Sequence, residues 1–327
     1  MSTSKRKEEA EEAIDSINKR TGRNMPQAIG TGALLVVLIL ASLLINVDVF
    51  VGLVVVFMIL ALWELRVDFA TVGIRIPVLT LWLASAVTLV STYAFPNHIA
   101  AMAATVSVAL VVVTLTASTR LSMVGQRVSM AVASKLSSSD ARMREFSSFN
   151  VDPASHRVSR LTNVSVSLFT MMYVPFLACF IILPLTGEHP VAHAFFLVFV
   201  PSLGDIGGLV FGAWMGKHKL SPRISPKKSV EGLLGSILFC FLGSLVIFLA
   251  TYDHAIWSSR WWVPLLLGVL VGMVGTFGDL CASMLKRDLG IKDMGHLLKG
   301  HGGVLDRVDS ILMAAPFICI TLAVTGL

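Results

Sequence analysis

Nine apolar stretches, each close to the roughly 20 residues that a helix needs to cross a hydrocarbon layer, constrain this chain more than any other feature. They run near Ala28–Asn46, Val49–Leu65, Ile74–Phe95, Ile99–Thr119, Leu161–Leu185, Val191–Phe211, Gly232–Tyr252, Trp262–Leu280 and Val308–Gly326. In lipid, every backbone N–H and C=O must find its partner inside the protein, which favours helices. The expected fold is therefore all-α: a polytopic integral membrane bundle of about nine transmembrane helices, the first two joined by an unusually tight link. A length of 327 residues would otherwise suggest two soluble domains, but 55% hydrophobic residues, 14% charged residues and a mean hydropathy of +0.80 override that prior.

The net charge of +6 is read by position. Arg66 and Arg75 fall between spans two and three, a run from Arg120 to Arg160 between four and five, and Lys217, Lys219, Arg223, Lys227 and Lys228 between six and seven. The alternate connections carry only Arg260. Basic loops face the cytoplasm, so the N-terminus is expected inside and the C-terminus outside, in the cell membrane. No basic patch interleaved with aromatics occurs, and no nucleic-acid partner is expected.

Four parts follow: a polar cytosolic arm over 1–26, too polar and acidic to supply a signal peptide's apolar core; helices 1–4 over 27–119; a polar cytoplasmic loop over 120–160; and helices 5–9 with the charged motifs over 161–327. Asn163-Val-Ser165 matches a glycosylation sequon, but its expected inner-face position makes the match accidental. Cys179, Cys240, Cys281 and Cys319 stand singly, with no metal-ligand spacing, and read as packing residues.

Chemistry concentrates between Asp279 and Asp309, where Asp279, Asp288, Asp293, Asp306 and Asp309 alternate with Lys286, Arg287, Lys292, Lys299 and Arg307. If the eighth helix continues past Asp279, then Asp279, Ser283, Lys286 and Arg287 share one face, as do Asp306 and Asp309 at the start of the last span. Carboxylates converging from two helices suit a hard ion such as Mg²⁺, which takes oxygen ligands and keeps places for substrate phosphates. Asp279, Asp306 and Asp309 are the expected metal ligands, with Lys286 and Arg287 balancing phosphate charge. Ser283, Lys292, Arg307, His301 and the freely turning Gly302 and Gly303 are expected at the substrate.

A second cluster lies between spans six and seven. Asp205 interrupts an apolar run, where a bare carboxylate costs about 2.5–3.5 kcal/mol on insertion scales, so it should face a wet or cationic cavity. Lys227 and Lys228, beside Pro222 and Pro226, suit a triphosphate or a lipid phosphate as well as they suit ordinary inside-positive charge. Gly208, Gly212 and Gly216 form a strip for close helix packing.

The sequences S-M-L-K-R, K-D-M-G and H-G-G-V-L-D-R-V-D, with G-K-H-K-L-S-P-R-I-S-P-K-K-S-V-E-G upstream, resemble the motifs of the phosphatidate cytidylyltransferases, the CDP-diacylglycerol synthases. One position departs: Lys299 stands where that family usually has Pro. The resemblance covers roughly the C-terminal 40% of the chain. It implies a nucleotidyltransferase of phospholipid biosynthesis that moves CMP from CTP to phosphatidic acid. It also implies a divalent ion with a second cation beside it, a site open to the inner leaflet, and a homodimer. Two alternatives stand beside it. One is another CTP-dependent lipid enzyme, such as a polyprenol kinase or an ether-lipid CDP synthase. The other is a cation channel or carrier built on Asp205 and Asp279.

Overall fold

The computed structural model describes residues 25–118, 159–222, 224–291, 294 and 303–327, without the side chains of 25–29, 226 and 227. The expected N-terminal arm and the expected loop over 120–160 lie outside these residues, apart from their last positions. Helices α1 (Met25–Ile45), α2 (Val47–Thr71), α3 (Val78–Ala94) and α4 (His98–Ser118) form the first group. After them come α5 (Arg160–Thr186), α6 (Pro190–Met215), α7 (Val230–Thr251), the short α8 (His254–Arg260), α9 (Val263–Asp288) and α10 (Leu305–Thr325). Seven of these are long and apolar enough to cross a membrane; Gly30–Ile45 and Val78–Ala94 are shorter apolar helices at two of the expected spans.

Local chemistry sets the boundaries. Asn46 alone separates α1 from α2, and its side chain accepts from the Asp48 N–H (3.3 Å), capping α2. Gly73, at φ +79°, then turns the chain out of α2. In α5, Pro175 has no N–H to give to the residue four before it, and the helix widens into a π turn over Met172–Phe176. Two features were not legible in the polar connections. Between α6 and α7 the chain makes an antiparallel hairpin of β1 (Lys219–Ser221) and β2 (Ser225–Ser229), and α8 fills the connection before α9.

Backbone contact joins α6, α7 and α9. A Cβ added at Gly207 would stand 2.7 Å from the Cβ of Phe239, and one at Gly272 would stand 2.7 Å from the Ile237 Cα. Side chains as small as hydrogen therefore set the spacing. Gly208 and Gly212 of the expected strip do pack against α7, facing Ser236 and Gly232, and Ser229 and Gly232, respectively. Ser236 Oγ adds a bond to the Gly204 carbonyl (2.8 Å) across the same seam. The most enclosed span is α10, with 61% of its apolar window buried against 22% for α4. Residues at the start of α10 are therefore held by neighbours on several sides.

Candidate active site

Three helix segments bring charge into one end of the bundle. Asp205 lies about 15 Å inside the end of α6 and Asp279 about 13 Å inside the end of α9, at 1.5 Å per helical residue. Asp309 sits in the second turn of α10, only 4% exposed. Asp205 is exposed and Asp279 38% exposed, whereas Asp309 is enclosed, and each of the three meets a donor or a cation.

Asp279 finds Lys228, the penultimate residue of the hairpin: Lys228 Nζ stands 2.8 Å from Asp279 Oδ2 and donates to the Thr276 carbonyl at 2.8 Å. Ser283, one turn along, reaches Asp279 Oδ1 at 3.5 Å. The hairpin is tied down at its other end by Glu231 in the first turn of α7. Its carboxylate accepts from the Lys217 and His218 backbone N–H groups and meets His218 Nδ1 at 2.6 Å. A β turn of structure thus carries a lysine from the connection into the helical site.

Asp205 is linked to α10 through Ser310, whose hydroxyl donates to Asp205 Oδ1 (3.2 Å), while the Ser310 N–H donates to Asp309 Oδ1 (2.7 Å). Asp205, Asp279 and Asp309 lie close enough to repel one another, with Lys228 and Arg307 in range of Asp205. That surplus of negative charge and the all-oxygen donor set fit a hard divalent cation. Among the described residues, no three His, Cys, Asp or Glu side chains form a ready metal cage. An ion that keeps waters and takes phosphate oxygens does not need one.

Asp306 occupies a different place. Its Oδ1 meets Lys286 Nζ at 2.7 Å, and its Oδ2 accepts from the Met294 N–H (2.9 Å) and the Gly303 N–H (3.2 Å). Both side chains are largely enclosed, at 12% for Lys286 and 9% for Asp306. Lys286, Asp306 and Gly303 therefore belong to one knot that ties the end of α9 to the start of α10. Arg287 is exposed beside it and Arg307 half-buried. Lys292, His301 and Gly302 lie outside the described residues, as does the side chain of Lys227.

Two polar residues of this end carry no motif and were not singled out from the sequence. Glu64 of α2, 1% exposed, accepts from the Leu305 N–H at 3.0 Å, supplying the cap that Val304 does not. A carboxylate inside an apolar span was the signal available. Replacing Glu64 by Ala is expected to lower stability by about 1–3 kcal/mol, because the start of α10 loses a buried acceptor. Glu64→Gln, which keeps a carbonyl oxygen there, should lose less; thermal unfolding of the detergent-solubilised protein measures both. The second is Tyr173, in the π turn of α5, whose hydroxyl is enclosed without a hydrogen-bond partner among the described residues. Such a group costs about 1–3 kcal/mol.

Fold and site define a polytopic membrane protein in which carboxylates and lysines interlock at one end of the helices. Residues 26–325 match the model of the Cytidylyltransferase family, and the chain belongs to that family. It is 41% identical over 155 residues to the phosphatidate cytidylyltransferase of Mycobacterium bovis, covering 47% of this chain and 49% of that protein. The Mycobacterium tuberculosis protein of the same name is also 41% identical over 155 residues, covering 47% and 46%. The Staphylococcus aureus one is 42% identical over 136 residues, covering 42% and 50%. The chain thus spans about half the length of the curated relatives it matches.

Proposed function

We propose that this chain is a phosphatidate cytidylyltransferase, transferring CMP from CTP to phosphatidic acid to give CDP-diacylglycerol and pyrophosphate. The observation that carries the reading is the pairing of Lys228 with Asp279 beside Asp205 and Asp309, two to three turns inside the helix ends of α6 and α9. Membership in the Cytidylyltransferase family and the names of the relatives support it. The site opens to the cytoplasmic leaflet of the cell membrane, where the basic connections lie, and the enzyme works as a homodimer, as the motif resemblance implies.

A phosphate oxygen of the lipid attacks the α-phosphorus of CTP. The new P–O bond forms as the bond to the β-phosphate oxygen breaks, and pyrophosphate leaves with that electron pair. The attacking oxygen is already anionic, so no base must remove a proton. The obstacle is repulsion between two anions, and the site's cations answer it. Lys228 reaches phosphate from the hairpin, and Arg307 adds positive charge near Asp205. Asp205, Asp279 and Asp309 would hold Mg²⁺, with a second cation beside it. When bound, that ion supplies charge neutralisation at the phosphates. Asp306, through its knot with Lys286, fixes the Met294 and Gly303 backbone against α9.

The purified protein, given radiolabelled CTP and phosphatidic acid in mixed micelles, is expected to form labelled CDP-diacylglycerol with equimolar pyrophosphate. Release of CDP with a phosphorylated lipid would instead mark a kinase. Cation flux in proteoliposomes with no nucleotide turnover would mark a channel.

A further inference from the structure

Tyr173 has features that packing alone does not explain. It is 8% exposed, and its ring stacks on Phe169 at 5.4 Å with an interplanar angle of 12°. Phenylalanine would fill that stack equally well, yet the chain places a hydroxyl there and leaves it without a hydrogen-bond partner among the described residues. The hydroxyl stands within electrostatic range of Asp309, Asp279 and Asp306. It is carried by a π turn, a distortion that recurs at functional sites because it re-aims side chains within a helix.

Most of the carboxylate oxygens nearby already have a partner. Asp306 uses both of its oxygens on Lys286 and the loop N–H groups, Asp279 Oδ2 holds Lys228, and Asp309 Oδ1 takes the Ser310 N–H. A phenolic O–H in electrostatic range of this cluster, with no partner among the described residues, is a donor in want of an acceptor, and the acceptors that the proposed reaction brings to these carboxylates and lysines are phosphate oxygens. We propose that Tyr173 is a substrate-contacting residue whose hydroxyl donates a hydrogen bond to a phosphate oxygen of a bound substrate, between α5 and the Asp279 and Asp309 carboxylates. This rests on the functional reading above and adds to it a contact from a helix outside the recognised motifs.

The test compares the full-length protein with Tyr173→Phe, which removes one oxygen and keeps the stacked ring. Thermal unfolding is followed without ligand, with Mg²⁺ and pyrophosphate, with Mg²⁺ and CTP, and with phosphatidate micelles; kcat and KM are measured alongside. Without ligand the variant should unfold at the same temperature or higher, since no protein bond is lost. Its affinity for one class of phosphate should fall about 10-fold or more, the scale of one hydrogen bond to a charged group. A loss confined to CTP and pyrophosphate places the contact on the nucleotide, and a loss confined to phosphatidate places it on the lipid. Equal stabilisation and equal kinetics in both proteins would overturn the proposal. So would a lower unfolding temperature without ligand and unchanged ligand shifts, the signature of a hydroxyl satisfied by a structural water. If CTP and phosphatidate stabilise neither protein, and the unsubstituted enzyme forms no product, the functional reading fails and this contact fails with it.

Discussion

Replacing Asp279 by Asn is expected to slow the proposed CDP-diacylglycerol formation by about 10²–10³-fold, the range found when one preorganised electrostatic group is removed from a reaction centre. The side chain is half-buried between Lys228 on one oxygen and Ser283 on the other, so an amide of the same shape fits the space. What changes is charge. Lys228 keeps the Thr276 carbonyl as a partner but loses its counter-ion, and the three-carboxylate cluster falls to two. A divalent ion would then be held more weakly, and the lysine would be biased toward whichever phosphate arrives first. The expected pattern is a loss in kcat with a shift of the Mg²⁺ requirement to higher concentration, while size-exclusion chromatography shows a folded protein. Full turnover by a folded Asp279→Asn enzyme would remove Asp279 from the mechanism.

The bundle was legible because hydropathy is local: each span declares itself by its own composition, and a tight link between the first two follows from their spacing, although the linking residue is Asn46, which was expected inside the first span. Asp205 was legible for the same reason, as a charge where none is tolerated without a partner. What could not be read were the pairings. Lys228 looked equally like a phosphate ligand and like ordinary loop charge, because nothing in P-R-I-S-P-K-K predicts a hairpin that aims it at Asp279. Glu64 sits at the end of an apolar span near Arg66, and its partner at Leu305 lies 241 residues away. Tyr173 reads as one more aromatic in a greasy helix, since a π turn has no periodicity of its own over five residues. Asp306 and Asp309 share a helical spacing, but α10 gives them different partners, one in the knot with Lys286 and one beside Ser310.

That division of labour leads to the largest expected stability change, at Asp306. Substituting Ala there leaves the Lys286 ammonium, 12% exposed, with no counter-charge and strips the Met294 and Gly303 N–H groups of their acceptor. Breaking one side of an enclosed ion pair costs about 3–5 kcal/mol, whereas replacing both sides with apolar groups is often neutral. Asp306→Ala should therefore unfold at markedly lower temperature in detergent. The double variant Lys286→Met with Asp306→Leu should recover much of that loss and still be inactive, because Met294 and Gly303 no longer have their anchor. The same measurement separates an anchor from a metal ligand. If Asp306 acts by tying Met294 and Gly303 to α9, the gap between the unsubstituted and Asp306→Ala proteins persists in EDTA. If it acts mainly by holding a divalent ion, chelation destabilises the unsubstituted protein down to the level of the variant, and the gap closes.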